Sequence, residues 1–262
     1  MKWPNRWTNI RHDTSAYNVL KGLKENDPLY QEFLLSWEAN YCSPQTQALA
    51  RLIQIKFGLD HGDANTPLHN ADSPQAVQTG AALREESNDV VPDVIFVSPY
   101  DRTLETLAGL CRGWPRLRTV KVYIEERVRE QEHGLSLLYN DWRVFFALHP
   151  EQKMLYDKEG PYYYRFPQGE NIPDVRERCR STTSTIMRDY AGKDVFIISH
   201  HKTILSFRAN HERLNAQDYL RLDDEEKPIN CGVTLYRGYP DEGANGRLKL
   251  EYYNRRFYDI AA

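Results

Sequence analysis

The stretch Asp93-Val-Ile-Phe-Val-Ser98-Pro99-Tyr100-Asp101-Arg102 decides the fold class of this chain of 262 residues. Its first half is a short apolar run rich in β-branched residues, which is typical of a strand buried on both faces of a sheet. A helix is predicted to follow at once, from about Asp101 to Arg112, with Gly113 at its end. A buried strand that leads directly into a helix indicates an α/β fold.

The same alternation of strand and helix recurs along the chain. Short apolar runs occupy residues 120–124, 195–199, 232–236 and 248–253, and a more polar strand is placed at residues 7–10 because of the polar cluster that follows it. Helices are predicted after Ser43-Pro44 and Ser73-Pro74, and from about residue 173 to residue 190. We therefore predict a three-layer sandwich, in which a mostly parallel central sheet carries helices on both faces.

Composition limits the possible classes of function. Lys and Arg number 34 and Asp and Glu number 37, so the formal net charge of −3 argues against general nucleic-acid or membrane binding. No apolar run is long enough to span a bilayer and the start of the chain has no apolar signal core, so we expect a cytoplasmic protein. No Cys-x-x-Cys pair occurs, which favours buried thiols over a zinc site or a disulfide framework. The cysteines are Cys42, Cys111, Cys179 and Cys231.

Three of the predicted strands end in polar clusters, at residues 11–12, 98–102 and 199–201. Ligands of parallel sheets bind beyond the carboxyl ends of the strands, so these clusters should face one ligand. Arginine forks match the geometry of phosphate, and histidine serves both as a nucleophile and as a pH-tuned cation. The residues therefore predict phosphoryl transfer with a histidine nucleophile and without a metal. The candidates are Arg11, His12, Arg102, His200 and His201.

These clusters also resemble motifs of a known family. Residues 11–18, Arg-His-Asp-Thr-Ser-Ala-Tyr-Asn, resemble the R-H-G-x-[ST]-x-x-N motif of the histidine phosphatase superfamily, also called phosphoglycerate-mutase-like. Residues 98–106 resemble its S-P-x-x-R-x-x-x-T, and residues 128–134 resemble its L-R-E-Q-x-x-G. Further matches at residues 67–83, 164–175, 198–200 and 230–232 follow in the expected order, so the resemblance spans roughly residues 10–236. It implies a phosphoglycerate-mutase-like fold and an enzyme that needs no cofactor.

The resemblance implies a role for each candidate residue. His12 would be the nucleophile that becomes phosphorylated, and Glu130 would protonate the leaving oxygen and then activate water, with Glu132 as the alternative acid. Arg11, Arg102 and His200 would complete the catalytic set by stabilising the charge on the phosphoryl oxygens. The predicted phosphate-binding residues are Arg11, Ser15, Asn18, Arg102, His200 and His201.

The chain is predicted to form a single domain over residues 1–262. Insertions between the motifs, at about residues 19–66 and 135–163, would form a cap over the strand ends. The expected partner is a phosphorylated small molecule, and the residues identify neither that substrate nor an oligomeric state.

Two glycines of the family pattern are replaced at the edge of the site, by Asp13 after the nucleophile and by His201 after the second histidine. A carboxylate pointing into the pocket would repel phosphate by about 4 kcal/mol at ~4 Å and an effective dielectric of ~20. We therefore expect an optimum on the acid side of neutrality, and a gain in efficiency on Asp13→Gly if the carboxylate faces the pocket. Three functions stay open, namely a phosphomonoesterase, a weak or inactive relative that binds phosphorylated ligands or a protein partner, and a phosphoglycerate mutase.

Overall fold

The computed structural model describes residues 3–259 and contains one sheet of six strands. The strands are β1 (Arg6–Arg11), β2 (Val94–Val97), β3 (Lys121–Ile124), β4 (Asp194–Ser199), β5 (Val233–Tyr239) and β6 (Arg247–Arg255). Their order in the sheet is β3-β2-β4-β1-β5-β6. The strands β1 to β4 run parallel, and β5 pairs antiparallel with both β1 and β6. The predicted fold class, α/β with a mostly parallel central sheet, is confirmed.

Helices surround the sheet, and among the described residues none of them is long and apolar enough to cross a membrane. The helices predicted after Ser43 and Ser73, and those predicted to begin near residues 101 and 173, are all present. The helices are α1 (Ala16–Glu25), α2 (Pro28–Ala39), α3 (Pro44–Lys56), α4 (Pro74–Glu86), α5 (Asp101–Gly113), α6 (Trp142–Leu148), α7 (Pro150–Glu159), α8 (Ile172–Asp189), α9 (His201–His211) and α10 (Ala216–Glu225).

Apolar side chains from both faces of the sheet form two separate cores. Leu83 of α4 and Leu110 of α5 pack against Ile95 on one face. Val175 of α8 and Phe207 of α9 pack with Val195 on the other. Every residue of β2 is buried, because this strand has a neighbour on each side and helices above and below.

The runs at residues 120–124 and 248–253 form β3 and β6, and the interpretation of such short apolar runs as strands buried on both faces is wrong for both. They lie at the two edges of the sheet, and in β3 Val122 is 41% exposed and Ile124 is 64% exposed. The polar strand β1, in contrast, is central, between β4 and β5. The indole N–H of Trp7 donates to Oδ1 of the buried Asn9 at 3.1 Å, whereas Asn9 Nδ2 has no partner among residues 3–259.

The two segments predicted as cap insertions pack against each other. Helices α2, α3 and α6 share an apolar cluster that includes Phe33, Ile53 and Val144. A buried ion pair of 2.6 Å joins Lys24 of α1 to Asp141, the residue that caps α6. A salt bridge in such a buried place is stable only when its remaining polar atoms are satisfied, and here further hydrogen bonds surround it.

The cysteines do not all behave as predicted. Cys111, Cys179 and Cys231 are buried, whereas Cys42 is exposed. Cys42 lies in the turn between α2 and α3, and this position leaves its side chain at the surface.

Candidate active site

The three predicted polar clusters meet at one edge of the sheet. His12 follows β1, Ser98 follows β2 and His200 follows β4, and these strands are neighbours in the order β2-β4-β1. The ring centroids of His12 and His200 are 5.2 Å apart. The parallel pairing of the strands therefore brings residues from distant parts of the chain to a single site.

The His12 ring is held in one tautomer. Its Nδ1 lies 2.7 Å from the backbone carbonyl oxygen of Asp13. A carbonyl can only accept a hydrogen bond, so Nδ1 carries the proton and Nε2 keeps its lone pair. Burial, followed by the charges of Arg102 and Arg11, lowers the pKa of His12 well below its ordinary value. His12 is consequently neutral near pH ~7, which is the form required of a nucleophile.

In His200 it is Nε2, not Nδ1, that has a hydrogen-bond partner. Ser98 Oγ accepts the backbone N–H of Tyr100 at 3.4 Å and lies 2.7 Å from His200 Nε2. Among residues 3–259 that nitrogen is the acceptor within reach of the Ser98 hydroxyl proton, so we infer that Ser98 donates to Nε2. The proton of the neutral His200 ring is then on Nδ1, which is buried and has no partner among residues 3–259. A buried donor without an acceptor is costly, so this N–H is suited to an anionic ligand.

Two arginines supply positive charge beside these rings. Arg11 donates from Nη1 to the Pro228 carbonyl at 2.6 Å, while its buried Nε has no partner in the described part of the chain. Arg102 lies with its guanidinium 4.8 Å from the ring centroid of Tyr100, and its Nη1 is 3.0 Å from Asp63 Oδ1. The site thus combines two cations with neutral imidazoles, which favours a phosphate group.

Glu130 lies at the amino terminus of α9. Its carboxylate accepts the backbone N–H of Lys202 at 3.1 Å and that of Gln131 at 3.0 Å. The free N–H groups of a helix terminus hold an anion in place, so this carboxylate is fixed close to His200, the residue that precedes the helix.

A second carboxylate braces the loop that carries Glu130. Glu170 accepts from Arg178 Nε at 2.9 Å and from Arg129 Nη2 at 3.1 Å. Arg178 in turn donates to the carbonyl of Glu130 at 3.0 Å. Burial alone would raise the pKa of Glu170, but the hydrogen bonds and charge of Arg178 hold it below its ordinary value. The backbone around the candidate acid is therefore rigidly supported.

Glu170→Gln should lower the free energy of unfolding by about 2 kcal/mol, because it leaves Arg178 and Arg129 without their anion. Urea unfolding measures this change. Glu177→Gln is the matched control, since Glu177 pairs with Arg180 on the same helix, where both side chains are more than half exposed. It should cost less than about 0.5 kcal/mol. Equal losses in the two variants would contradict a bracing role for Glu170.

The Asp13 carboxylate points away from the phosphate-binding groups, which corrects the expectation from sequence. Its Oδ2 accepts the backbone N–H of Ala76 at 3.1 Å, and its Oδ1 accepts that of Thr14 at 2.6 Å. The residue is 0% exposed. The condition for repulsion of phosphate, a carboxylate that faces the pocket, is therefore not met, and the expectations of an acid optimum and of a gain on Asp13→Gly lose their basis.

Two further predicted phosphate contacts are not supported by the geometry. His201 Nε2 lies 2.8 Å from Asp223 Oδ1, so this ring is turned toward α10. Ser15 caps α1 and is 2% exposed, and its hydroxyl donates to Asn18 Oδ1 at 3.0 Å. The amide nitrogen of Asn18 remains the group of this pair that can still donate to a phosphate.

Some residues of the site were not assigned by sequence reasoning. Asn230 Nδ2 donates to the His12 carbonyl at 3.0 Å, and Asp63 pairs with Arg102 from a short turn. The matched segment at residues 230–232 was a signal for Asn230, whereas nothing in the sequence pointed to Asp63. Within residues 3–259 no group of three His, Cys, Asp or Glu side chains is placed to hold a metal ion.

Comparison with known proteins adds a family match. The family model of the histidine phosphatase superfamily (branch 1) matches residues 56–248, which excludes the segment around His12. The phosphoglycerate mutase-like protein AT74 of Arabidopsis thaliana is 32% identical over 61% of this chain and 54% of its own length. A 2,3-bisphosphoglycerate-dependent phosphoglycerate mutase of Methanococcus vannielii is 24% identical over 78% of this chain and 92% of its own. The chain spans about half the length of the Arabidopsis relatives that it matches.

Solved structures with the same fold include phosphatases. A mycobacterial glucosyl-3-phosphoglycerate phosphatase in complex with inorganic phosphate has a TM-score of 0.62 at 17% identity, covering 97% of this chain and 98% of that one. The alpha-ribazole phosphatase of Shigella flexneri has a TM-score of 0.65 at 17% identity, covering 98% of this chain and 100% of that one. At such low identity these structures establish the shared fold.

Proposed function

The chain belongs to the histidine phosphatase superfamily, and we propose that it hydrolyses phosphomonoesters through a phosphohistidine at His12, without a metal cofactor. The observation that carries the proposal is the hydrogen bond of 2.7 Å from His12 Nδ1 to the Asp13 carbonyl, which leaves the Nε2 lone pair available. The phosphatases among the structures of the same fold also support it.

In the first step, His12 Nε2 attacks the phosphorus atom and the ester P–O bond breaks. Protonated Glu130 gives its proton to the leaving alcohol. Arg11, Arg102 and the Nδ1–H of His200 bind the non-bridging oxygens, whose charge must be stabilised in the transition state.

In the second step, Glu130 acts as a general base instead of a general acid. Its carboxylate removes a proton from water, the water oxygen attacks the phosphohistidine, and the P–N bond breaks. His12 is regenerated as a neutral ring, inorganic phosphate is released, and Glu130 is again protonated for the next cycle.

The positions of the two residues that replace glycines favour a working site over an inactive one. The Asp13 carboxylate is engaged by α4 and the His201 ring by Asp223, so neither places a charge or bulk among the candidate phosphate-binding groups. The hypothesis of a protein that only binds phosphorylated ligands therefore loses its main support.

A mutase activity would appear as transfer of the phosphoryl group to an added phosphoglycerate instead of to water.

The test is hydrolysis of an aryl phosphate by the wild-type protein in the presence of EDTA. We expect turnover that is unaffected by the chelator, with inorganic phosphate and the free phenol formed in equal amounts. Absence of turnover between about pH 4 and pH 9, the range over which histidine and carboxyl groups titrate, would overturn the proposal.

The pH profile of kcat/KM should lack the loss of activity that an ordinary histidine would cause near pH ~6.5. Burial and the charges of Arg102 and Arg11 lower the pKa of His12, so its ring stays neutral as the pH falls below that value. We expect kcat/KM, corrected for ionisation of the substrate, to be retained at about pH 5.5 relative to pH 7. A tenfold decline over this interval would mean that the nucleophile titrates normally.

A further inference from the structure

We propose that Asp13 is a positioning residue for the nucleophile, because its carboxylate holds the peptide group whose carbonyl keeps the proton of His12 on Nδ1. The resemblance pattern has glycine at this position, so this would be a property of the present chain. The kinetic part of the inference rests on the proposed function, whereas its structural part concerns the tautomer of His12 alone.

A single peptide group links the carboxylate to the imidazole. The peptide bond between Asp13 and Thr14 presents its carbonyl oxygen to His12 Nδ1 at 2.7 Å and its N–H to Asp13 Oδ1 at 2.6 Å. A trans peptide is planar, with its C=O and N–H directed to opposite sides. Fixing the N–H on the carboxylate therefore fixes the direction of the carbonyl that the imidazole contacts.

The carboxylate is itself anchored to the rest of the fold. Its Oδ2 accepts the N–H of Ala76 at 3.1 Å, in the first turn of α4, where free N–H groups and the helix dipole favour an anion. The backbone N–H of Asp13 donates to Thr106 Oγ1 at 2.9 Å, which adds a restraint from α5. Burial and the Asp13 charge raise the pKa of Cys231 well above its ordinary value, so this neighbouring thiol stays protonated.

An alanine at position 13 would release the peptide group from the carboxylate that holds it in this chain. The N–H of Thr14 would lose its acceptor, and the peptide could rotate away from the His12 ring. Among residues 3–259, the Asp13 carbonyl is the hydrogen-bond partner of His12 Nδ1. If that carbonyl turned away, no other described group would hold the proton on Nδ1. Part of the protein would then carry its proton on Nε2, where it blocks attack on phosphorus.

The kinetic test compares Asp13→Ala and Asp13→Asn with Ser73→Ala. Ser73 accepts the N–H of Gln75 at 3.3 Å and caps the same end of α4, but it does not contact the peptide group of Asp13. We expect Asp13→Ala to lower kcat for aryl phosphate by about 10- to 100-fold with KM within ~3-fold, because misorientation of a reacting group acts on the chemical step. Asparagine keeps one oxygen for the Thr14 N–H, so Asp13→Asn should retain more activity than Asp13→Ala. Ser73→Ala should stay within ~2-fold of wild type.

The structural test is a nitrogen NMR measurement on protein labelled with ¹⁵N-histidine. In the wild type the His12 ring should report a proton on Nδ1, and in Asp13→Ala a mixture of the two tautomers. An inactive wild type that shows this change would overturn the proposed function while supporting the inference. An Asp13→Ala variant with the wild-type tautomer, or with unchanged kcat, would overturn the inference, and so would an equal loss in Ser73→Ala. If Asp13→Ala does not fold, Asp13→Asn is judged by the same two readouts.

Discussion

His12→Ala should abolish phosphomonoester hydrolysis, with kcat/KM lowered by about 10⁴-fold or more, as expected when a nucleophile is removed. No neighbouring imidazole can replace it. His200 has its Nε2 occupied by the Ser98 hydroxyl at 2.7 Å, and its Nδ1 carries the proton. Arginine side chains stay protonated and cannot attack phosphorus.

The measurement combines steady-state kinetics with detection of the intermediate. Wild-type protein mixed with substrate and quenched in mild alkali should gain the mass of one phosphoryl group, which acid removes, and His12→Ala should gain none. His61→Ala is the matched control, because His61 contacts Asp60 at 3.0 Å and has no place in the proposed chemistry. A phosphoryl group recovered on another residue, or activity that survives in His12→Ala, would contradict the assignment.

Sequence analysis predicted those parts of the fold that depend on the pattern of neighbouring residues in the chain. The strand β2 and the helix α5 are joined by residues 98–100 alone, and the apolar run, the proline and the terminal glycine all lie within residues 93–113. The exposure of Ile124 depends instead on β3 being the outermost strand, which is decided by pairing with β2 alone. A local pattern carries no information on how many neighbours a strand will have.

The same distinction applies to the candidate site. The placement of His12 and His200 directly after strands, and of Arg102 in the helix that follows β2, could be predicted from the apolar runs that precede them. The direction of the Asp13 side chain depends on Ala76, which is 63 positions away, and the support of the His12 backbone depends on Asn230, which is 218 positions away. Such contacts arise only once the helices are packed, so the sequence alone left open the direction of a carboxylate next to the nucleophile.

Glu130→Gln should have an effect that depends on the leaving group. General acid catalysis contributes about 10²- to 10⁴-fold, so cleavage of an alkyl phosphate should slow by that factor. A nitrophenolate leaves without a proton, so the first step on an aryl phosphate should be nearly unaffected. Glutamine can still accept the Lys202 N–H that Glu130 accepts at 3.1 Å, which keeps the loop in place.

The second step gives this variant a distinct kinetic signature, because Glu130 also activates the water that releases phosphate. Glu130→Gln should therefore release one equivalent of nitrophenol per protein in a burst and then turn over slowly, as the phosphohistidine accumulates. Glu132→Gln is the control, since the Glu132 backbone N–H braces the loop by donating to Glu170 Oε2 at 3.0 Å and survives the change. A burst in Glu132→Gln and none in Glu130→Gln would transfer the role of acid to Glu132. Equal slowing of aryl and alkyl substrates without a burst would mean that Glu130 supports the site without transferring a proton.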